Sequence, residues 1–512
     1  MPGVVLFTAL IAISGVMAAV ASAADAADAA AADAASESTR PNIVWIIPDD
    51  MSAHFGCYGE TAIATPHVDA LAARGVRFDH AYVTAPVCSP CRSAFITGMY
   101  QTTIGAHHHR SGRGKQTIRL PDAIPLVPRL FQQAGYYTTI ADWPPRKTRS
   151  GTPKLGKTDY NFQYDPTIYD GAVWDDREPG QPFFAQVQTP GGKLRGGDAA
   201  GWERVRTKSE RLFGQPVPEE AVTLPPYYPN DPALRTDWAA YLDSVRQTDH
   251  MVGEVIAKLD ADGDLDNTLV LFMTDHGISH IRGKQYLYDE GIHVPLVIAG
   301  PGIEAGTVRS DPVEHIDIAA LSLAAAGIPL PTAMQARDIL AGDYQPRDAV
   351  FAARDRCDET VDRIRSVRTN GWKYIRNYHP ERPHLQPNAY KDHKAISIAF
   401  RAIPLDELTP VQAALRAPTR PAEELYDLAA DRHERVNLAG DPDHAERLAE
   451  MRRRLADWES HTGDRGRQPE SESMYDSDMA VYFDQLRGRH PERMAELQAN
   501  IERMKAWAAA GK

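Results

Sequence analysis

The chain has 512 residues, 43% of them hydrophobic and 24% charged, with a net charge of −13 at neutral pH. That length argues for a large domain joined to a smaller one, and the acidic balance argues against non-specific binding to nucleic acid or other polyanions. Four cysteines, Cys57, Cys88, Cys91 and Cys357, are too few for a disulfide scaffold.

The chain begins with an apolar, alanine-rich run, Val4 to Ala23, whose end Ala21-Ser22-Ala23 fits a small-residue cleavage site, although no Lys or Arg precedes it. Residues 1–23 are therefore expected to be a signal peptide and the Ala/Asp-rich residues 24–38 a linker, which places the mature protein outside the cytoplasm, periplasmic or secreted. No later apolar run is long enough to span a membrane. Export permits disulfides, and a Cys57–Cys91 pairing stays open.

Asn42 to Ile47 (NIVWII) is a continuous apolar run, the pattern of a central strand buried on both faces, and it ends at Asp49-Asp50. Thr65 to Gly75 reads as a helix, and Val76-Arg77-Phe78 leads on to Pro86-Val87-Cys88-Ser89-Pro90-Cys91-Arg92-Ser93. There Ser89 suits an N-cap and Pro90 a first helical residue, with a short helix running on to Thr97 and stopped by Gly98. Cys88 would lie at the helix N-terminus, where free N–H groups and the dipole favour an anion. Arg92 is one turn further on the same face. A nucleophile, a positive helix end and a guanidinium fork meet at a site for a tetrahedral oxyanion. Cys88-x-x-Cys91 by itself also fits a redox pair.

Downstream the pattern alternates. Leu126 to Ala134 is helical, Tyr136 to Ile140 and Pro182 to Gln188 are strands, and Asp237 to Leu259 has helical periodicity. Thr268 to Thr274 and Val294 to Ala299 are further strands, so the segment forms a layered α/β domain over residues 39–347. The strand at Thr268 ends at Asp275-His276. If the two strand tips lie together, Asp49, Asp50, Asp275 and His276 close around one cation. Mostly oxygen ligands favour Ca²⁺, and the imidazole leaves Mn²⁺ or Zn²⁺ open. Basic loops (His107 to Arg119, Arg146 to Lys157, Lys193 to Arg195) suggest a funnel for an anionic substrate, with His108, Asp159, Lys193 and Arg195 as substrate-facing candidates.

Residues 348–465 read as a smaller α+β domain with a hairpin around Asn370-Gly371 and an amphipathic helix from Asp443 to Trp458. Residues 466–512 form a helical extension, apolar at Met494, Leu497, Ile501, Met504 and Trp507, expected to pack back on the core. The oligomeric state is not set by the sequence.

The order Cys88-x-Pro90-x-Arg92 resembles the signature of the formylglycine-dependent sulfatases. RPNIVWIIPDD, TPHVDALAARGVRF, APVCSPCRSAFITGMY, LGKTDYN and LFMTDHG…GKQYLYDEGIHVPLVI look like successive sulfatase blocks. Phe351 to Arg356 and Glu424 to Leu438 are similar to the C-terminal part of heparan N-sulfatase-like members. The resemblance implies an alkaline-phosphatase-like α/β fold, a mixed sheet flanked by helices, with a smaller C-terminal α+β domain. It also implies that a maturation enzyme oxidises Cys88 to formylglycine. One hydroxyl of the hydrated aldehyde attacks sulfur, and the other expels sulfate as the aldehyde re-forms. By position, Asp49, Asp50, Asp275 and His276 match the metal ligands, and Arg92 the residue that holds formylglycine. Lys157 matches the lysine bridging nucleophile and sulfate, and Lys284 the second sulfate-binding cation.

Two departures stand out. Asp159 occupies the place where many sulfatases have histidine two residues after the first lysine. Thr189-Pro190-Gly191-Gly192-Lys193 stands where a second histidine often follows the strand. Lys193 is accordingly expected to contact sulfate or substrate, with His280 or His293 as general acid. The implied activity is hydrolysis of a sulfate ester or N-sulfate on a sulfated saccharide. A phosphoesterase or phosphonate monoester hydrolase of the same superfamily is the close alternative, and a non-catalytic glycan-binding protein with unmodified Cys88 the distant one.

Overall fold

The apolar run that begins at Asn42 forms β1 (Asn42–Pro48), and every residue of it is buried. The structure, a computed structural model, describes residues 40–511, so the expected signal peptide and linker lie outside the described residues. β2 (Val76–Tyr82), β3 (Tyr137–Asp142), β4 (Phe183–Thr189), β5 (Thr268–Met273), β6 (His293–Ala299), β7 (Thr307–Arg309) and β8 (Val313–Glu314) join β1 in one mixed sheet. Its order is β3-β4-β1-β5-β6-β2-β7, with β8 beside β2. β1 is parallel to both β4 and β5, and β6 is antiparallel to β5 and β2.

Successive β1 side chains point to opposite faces, and each face carries its own layer. Val44 and Ile46 pack with α1 (Pro66–Ala73), and on the same side lie α4 (Ala199–Phe213) and the long α5 (Pro232–Ala261). Ile43, Trp45 and Ile47 share a cluster with α2 (Cys88–Phe95), α3 (Val127–Gln133) and α7 (Asp317–Ala325). The short α6 (Asp289–Ile292) leads directly into β6.

A second, antiparallel sheet follows, in the order β12-β11-β10-β9, from β9 (Val350–Arg354), β10 (Ile364–Arg368), β11 (Trp372–Asn377) and β12 (Glu423–Asp427). The β10–β11 hairpin closes through Asn370-Gly371, with Arg368 opposite Lys373. Between β11 and β12 lie α8 (Ala395–Ala402) and α9 (Pro410–Leu415), and α10 (Ala445–His461) follows. Val350, Val367, Leu425 and Met451 belong to the same apolar cluster as Trp45. From Asn42 onward the chain is therefore one compact unit in which the two sheets share a core.

The extension is two helices, α11 (Glu472–Arg489) and α12 (Met494–Ala509), rather than one continuous run. Pro491, which has no N–H to donate and restricts the residue before it, falls at the break. Met479, Leu486, Leu497, Ile501 and Met504 pack between the pair, and the Tyr475 hydroxyl donates to the Glu359 carbonyl of the main body. Among the described residues no helix is long and apolar enough to cross a membrane.

Candidate active site

Parallel pairing of β1 with β5 sets Ile46 opposite Phe272, which carries both acid-tipped ends to one point. The Asp275 N–H donates to the Pro48 carbonyl (3.1 Å), and the Asp50 N–H to Oδ1 of Asp275 (3.0 Å). Arg92 ties the tips together. Its Nη2 contacts Oδ1 of Asp49, and its Nε lies 3.2 Å from Oδ2 of Asp275. The Arg92 side chain is 1% exposed, so these are pairs in a low-dielectric interior.

Cys88 is the first residue of α2, and Val87, without a side-chain cap, precedes it. The capping expected of Ser89 is not observed. Its Oγ accepts the Arg110 N–H instead (2.8 Å), stapling the 107–113 loop to the helix. Sγ of Cys88 lies 3.2 Å from Nε2 of His276, 3.3 Å from Nζ of Lys284 and 3.7 Å from Nζ of Lys193. Burial opposes its thiolate, yet Lys157, Lys193, Lys284 and His276 together hold the thiol well below its usual range. All four cysteines are free.

The lysines arrive on separate loops. Lys157 Nζ is 3.1 Å from Oδ2 of Asp49, and Lys284 Nζ is 3.0 Å from Oδ1 of Asp50. Lys193 contacts Asp49 because Gly191 and Gly192 let the turn after β4 lie against the tip of β1. A Cβ at either glycine would fall 2.2 Å from a backbone oxygen, of Asp49 and of Asp50 respectively. Gly191 also has φ of +52°, which favours glycine. Asp159 receives Arg113 (2.7 Å) and Lys157 (3.4 Å).

Asp50, Arg110, Asp159, Gln285 and Asp358 all have positive φ, five of the six non-glycine residues that do so among the described residues. Such backbone costs on the order of 1–3 kcal/mol per residue and persists where the surroundings fix it. At Asp50, Asp159 and Asp358 it places carboxylates beside Cys88 or His109.

Four expected site residues lie elsewhere. Arg195 is 1% exposed, with Nε 3.1 Å from both carboxylate oxygens of Asp237 and Nη1 donating to the Gly192 carbonyl (2.6 Å). It braces the Lys193 turn and does not face substrate. His280 is packed between Tyr228 (centroids 4.1 Å apart) and Trp238 (5.7 Å), and burial pushes it down to about 3. An imidazole that acidic is neutral at physiological pH and has no proton to give as an imidazolium. His293 donates Nε2–H to the Asp79 carbonyl (2.8 Å), where burial pushes it down to about 4. It lines a broad cleft with Asp289, Arg368 and His433 that Cys88 does not border. The His108 ring lies tilted against His107, and its Nδ1 accepts the Arg356 N–H. The next residue, His109, is the one that turns to Cys88. A ring nitrogen of His109, Sγ of Cys88 and an oxygen of Asp159 lie within 4.8 Å of one another.

Sequence reasoning missed His109, its partner Asp358, and Tyr390. The Tyr390 ring lies 5.5 Å from Lys284 Nζ and 4.7 Å from Lys394 Nζ. Burial opposes its ionisation, but Lys394 and Lys284 bring the phenol down to about 8. The triple histidine run was the available signal for His109; its loop gives no periodicity from which to choose a member.

A sulfatase family model matches residues 41–328, and a model for the C-terminal part of N-sulphoglucosamine sulphohydrolase matches residues 276–393. An ulvan-active sulfatase of Formosa agariphila is 32% identical over 475 residues, covering 85% of this chain and 77% of that one. Human N-sulphoglucosamine sulphohydrolase is 28% identical over 487 residues, covering 83% and 90%. Among solved structures, a 2-O GAG sulfatase has a TM-score of 0.58 at 21% identity, with 84% and 94% of the two chains covered. A phosphonate monoester hydrolase from Silicibacter pomeroyi has a TM-score of 0.56 at 19% identity, covering 83% and 96%. These two show the shared alkaline-phosphatase-like architecture. With the Cys88 helix seated at the tips of two acid-ended strands and a family model spanning more than half its length, the chain belongs to the sulfatase family and is a sulfatase.

Proposed function

We propose that the protein is an exported sulfatase acting on sulfate ester or N-sulfate groups of an anionic saccharide, with Cys88 converted to formylglycine by a maturation enzyme. The observation that carries this reading is the convergence of Lys193, Lys284 and His276 on Cys88 Sγ. A sulfuryl group held there meets cations from two loops, the arrangement that stabilises charge on its peripheral oxygens.

The residues fit a divalent cation. Oδ2 of Asp50 is buried without a hydrogen-bond partner. Burial and the neighbouring Asp49 push Asp275 up to about 6, as crowded carboxylates do without a cation between them. His276 donates Nδ1–H to the Gly277 carbonyl (2.9 Å), which aims Nε2 at Oδ1 of Asp50 (3.1 Å), where a cation would take the place of the proton they share. Asp49, Asp50, Asp275 and His276 would hold it, and the oxygen-rich set favours Ca²⁺ over Mn²⁺ or Zn²⁺. When bound, the cation polarises the sulfuryl oxygens and lowers the proton affinity of the nucleophile.

When present, the hydrated formylglycine supplies the nucleophilic hydroxyl. Arg92 fixes the carboxylates of Asp49 and Asp275 in place. Lys157, partly exposed at 30%, and Lys193, at 32%, are placed to meet the incoming anion. Saccharide specificity is supported by the relatives named above and by the cations at the cleft.

The decisive experiment is the mass of the peptide carrying residue 88 after co-expression with a maturation enzyme, combined with paired assays on aryl sulfate and aryl phosphate esters. A converted residue and preferential sulfate hydrolysis are expected. An unconverted thiol with retained glycan binding would favour a binding protein, and preferential phosphate turnover a phosphoesterase.

A further inference from the structure

Neither histidine that usually serves residue 88 is present, yet a second histidine, besides His276, reaches Cys88. His109 is 4% exposed. Its Nδ1 lies 3.0 Å from Oδ1 of Asp358, and its Nε2 is buried without any hydrogen-bond partner. Cys357 and Asp358 flank the ring on one side, and with Nδ1 committed to Asp358, Nε2 is the nitrogen left to face Cys88 and Asp159, which lie within 4.8 Å of a ring nitrogen.

The placement is held from several sides. The His109 N–H donates to the Arg356 carbonyl (2.8 Å), the Asn161 amide donates to the His108 carbonyl (2.7 Å), and the Arg110 N–H reaches Ser89 in the nucleophile helix. Asp358 has φ of +52°, an unfavourable backbone for an aspartate that here turns its carboxylate towards the ring. Asp358 lies just beyond β9, so the second sheet's connection completes the first sheet's site.

We propose that His109, oriented by Asp358, is the proton-transfer residue at position 88. Its Nε2 takes the proton from the hydroxyl of residue 88 that does not carry sulfate. The O–H electron pair becomes the new C=O bond, and the C–O bond to sulfate breaks with its pair leaving on sulfate. When water adds again and loses one proton to solvent, Nε2 returns its proton to the former carbonyl oxygen. Asp358 is a positioning residue: it accepts Nδ1–H, fixes the tautomer and stabilises the imidazolium that forms. Burial opposes a charged ring, but Asp358 and Cys357 beside it outweigh burial and favour the imidazolium that proton transfer forms.

The proposal rests on the sulfatase reading above, and the test separates the two. Formylglycine-bearing wild type, His109→Ala and Asp358→Asn are mixed with an aryl sulfate, following phenol release in the first turnover and the intact mass of the residue-88 peptide. His109→Ala is expected to release a burst of phenol, then turn over about 10²–10⁴-fold more slowly, with sulfate retained on residue 88. Asp358→Asn, nearly isosteric, should give a smaller loss of the same kind, and it decides the matter should His109→Ala not fold. Turnover close to wild type, or slow turnover with no burst and no sulfate on residue 88, overturns the role of His109 while leaving the sulfatase reading intact. A converted wild-type enzyme that neither turns over nor retains sulfate overturns the sulfatase reading, and this inference with it.

Discussion

Lys193 Nζ lies 3.7 Å from Cys88 Sγ although 105 residues separate them in sequence. The contact exists because the Gly191-Gly192 turn lies flat on the tip of β1 and because Arg195, two residues on, is locked into Asp237. One residue of the basic triplet thus serves the site, and the other supports it from behind.

The two therefore fail differently on substitution. Lys193→Ala removes a preorganised cation at the developing charge and should lower kcat/KM by about 10²–10³-fold without a change in thermal midpoint. Arg195→Met leaves the buried Asp237 carboxylate with the Trp202 indole N–H but without its cation, and should cost about 3–5 kcal/mol of stability. Thermal denaturation beside steady-state kinetics reads both. Equal midpoints for the two variants would contradict the assignment.

Removing the cation should act on activity and stability together. The Asp50 carboxylate has an unpartnered oxygen, and Asp49 and Asp275 crowd beside it. Chelator-treated protein, checked for metal content, is expected to lose turnover and regain it with Ca²⁺ in preference to Zn²⁺. Because the ion binds the folded chain, a hundredfold excess over Kd should stabilise it by about 2.7 kcal/mol. A metal-free protein with unchanged midpoint and unchanged turnover would remove the metal from the account.

Glu359 gives a stability prediction with a defined sign. Burial first, and then the charge of Asp358, push its carboxyl up to about 8 from an ordinary value of 4.5. Between those two values the folded chain keeps a proton that the unfolded chain has lost, so the group subtracts stability as pH rises through that window. Glu359→Gln removes the linkage. Relative to wild type it should gain about 3–4 kcal/mol between pH 5 and pH 8. Parallel melts of both proteins across that range would show a constant difference if Glu359 were already ionised in the fold.

How much of this was legible in the sequence follows from locality. Asp49-Asp50 and Asp275-His276 end continuous apolar runs, and parallel strands that neighbour each other must bring such ends together. Cys88 and Arg92 share one helix, so their juxtaposition is fixed by helical repeat. The Asn370-Gly371 hairpin and the helix from Asp443 are local for the same reason. The proton-transfer pair is not local: Asp358 lies 249 residues from His109, and no periodicity in the 107–113 loop tells which of three histidines turns inward. His280, a candidate general acid in the absence of the usual histidines, is turned by its loop into a cage of Tyr228 and Trp238. A capping Ser89 was reasonable by composition and failed because its hydroxyl is engaged by Arg110.

The C-terminal extension gives the last prediction, because it reaches the active-site loop. Asp478 of α11 accepts the Gly112 N–H (3.0 Å) with one oxygen and pairs with Arg356 (2.6 Å) through the other. Glu470 takes the remaining face of that guanidinium, at 2.6 Å from Nε, and Ser477 accepts the Gln116 N–H (2.8 Å). Arg356 in turn accepts the His109 N–H through its carbonyl, so the tail, the arginine and the loop bearing the nucleophile's histidine form one connected set. Asp478→Ala removes one of two acids from a buried guanidinium and one acceptor from the loop, and should cost about 2–3 kcal/mol. Truncation after Gln468 removes both acids and should cost more. Both changes should lower kcat and speed proteolysis within residues 107–119, because that loop would lose its outer support while Cys88 and the acid tips stay in place. A truncated chain that turns over like the full one, with the loop no more cleavable than before, would show that α11 and α12 merely rest on the surface.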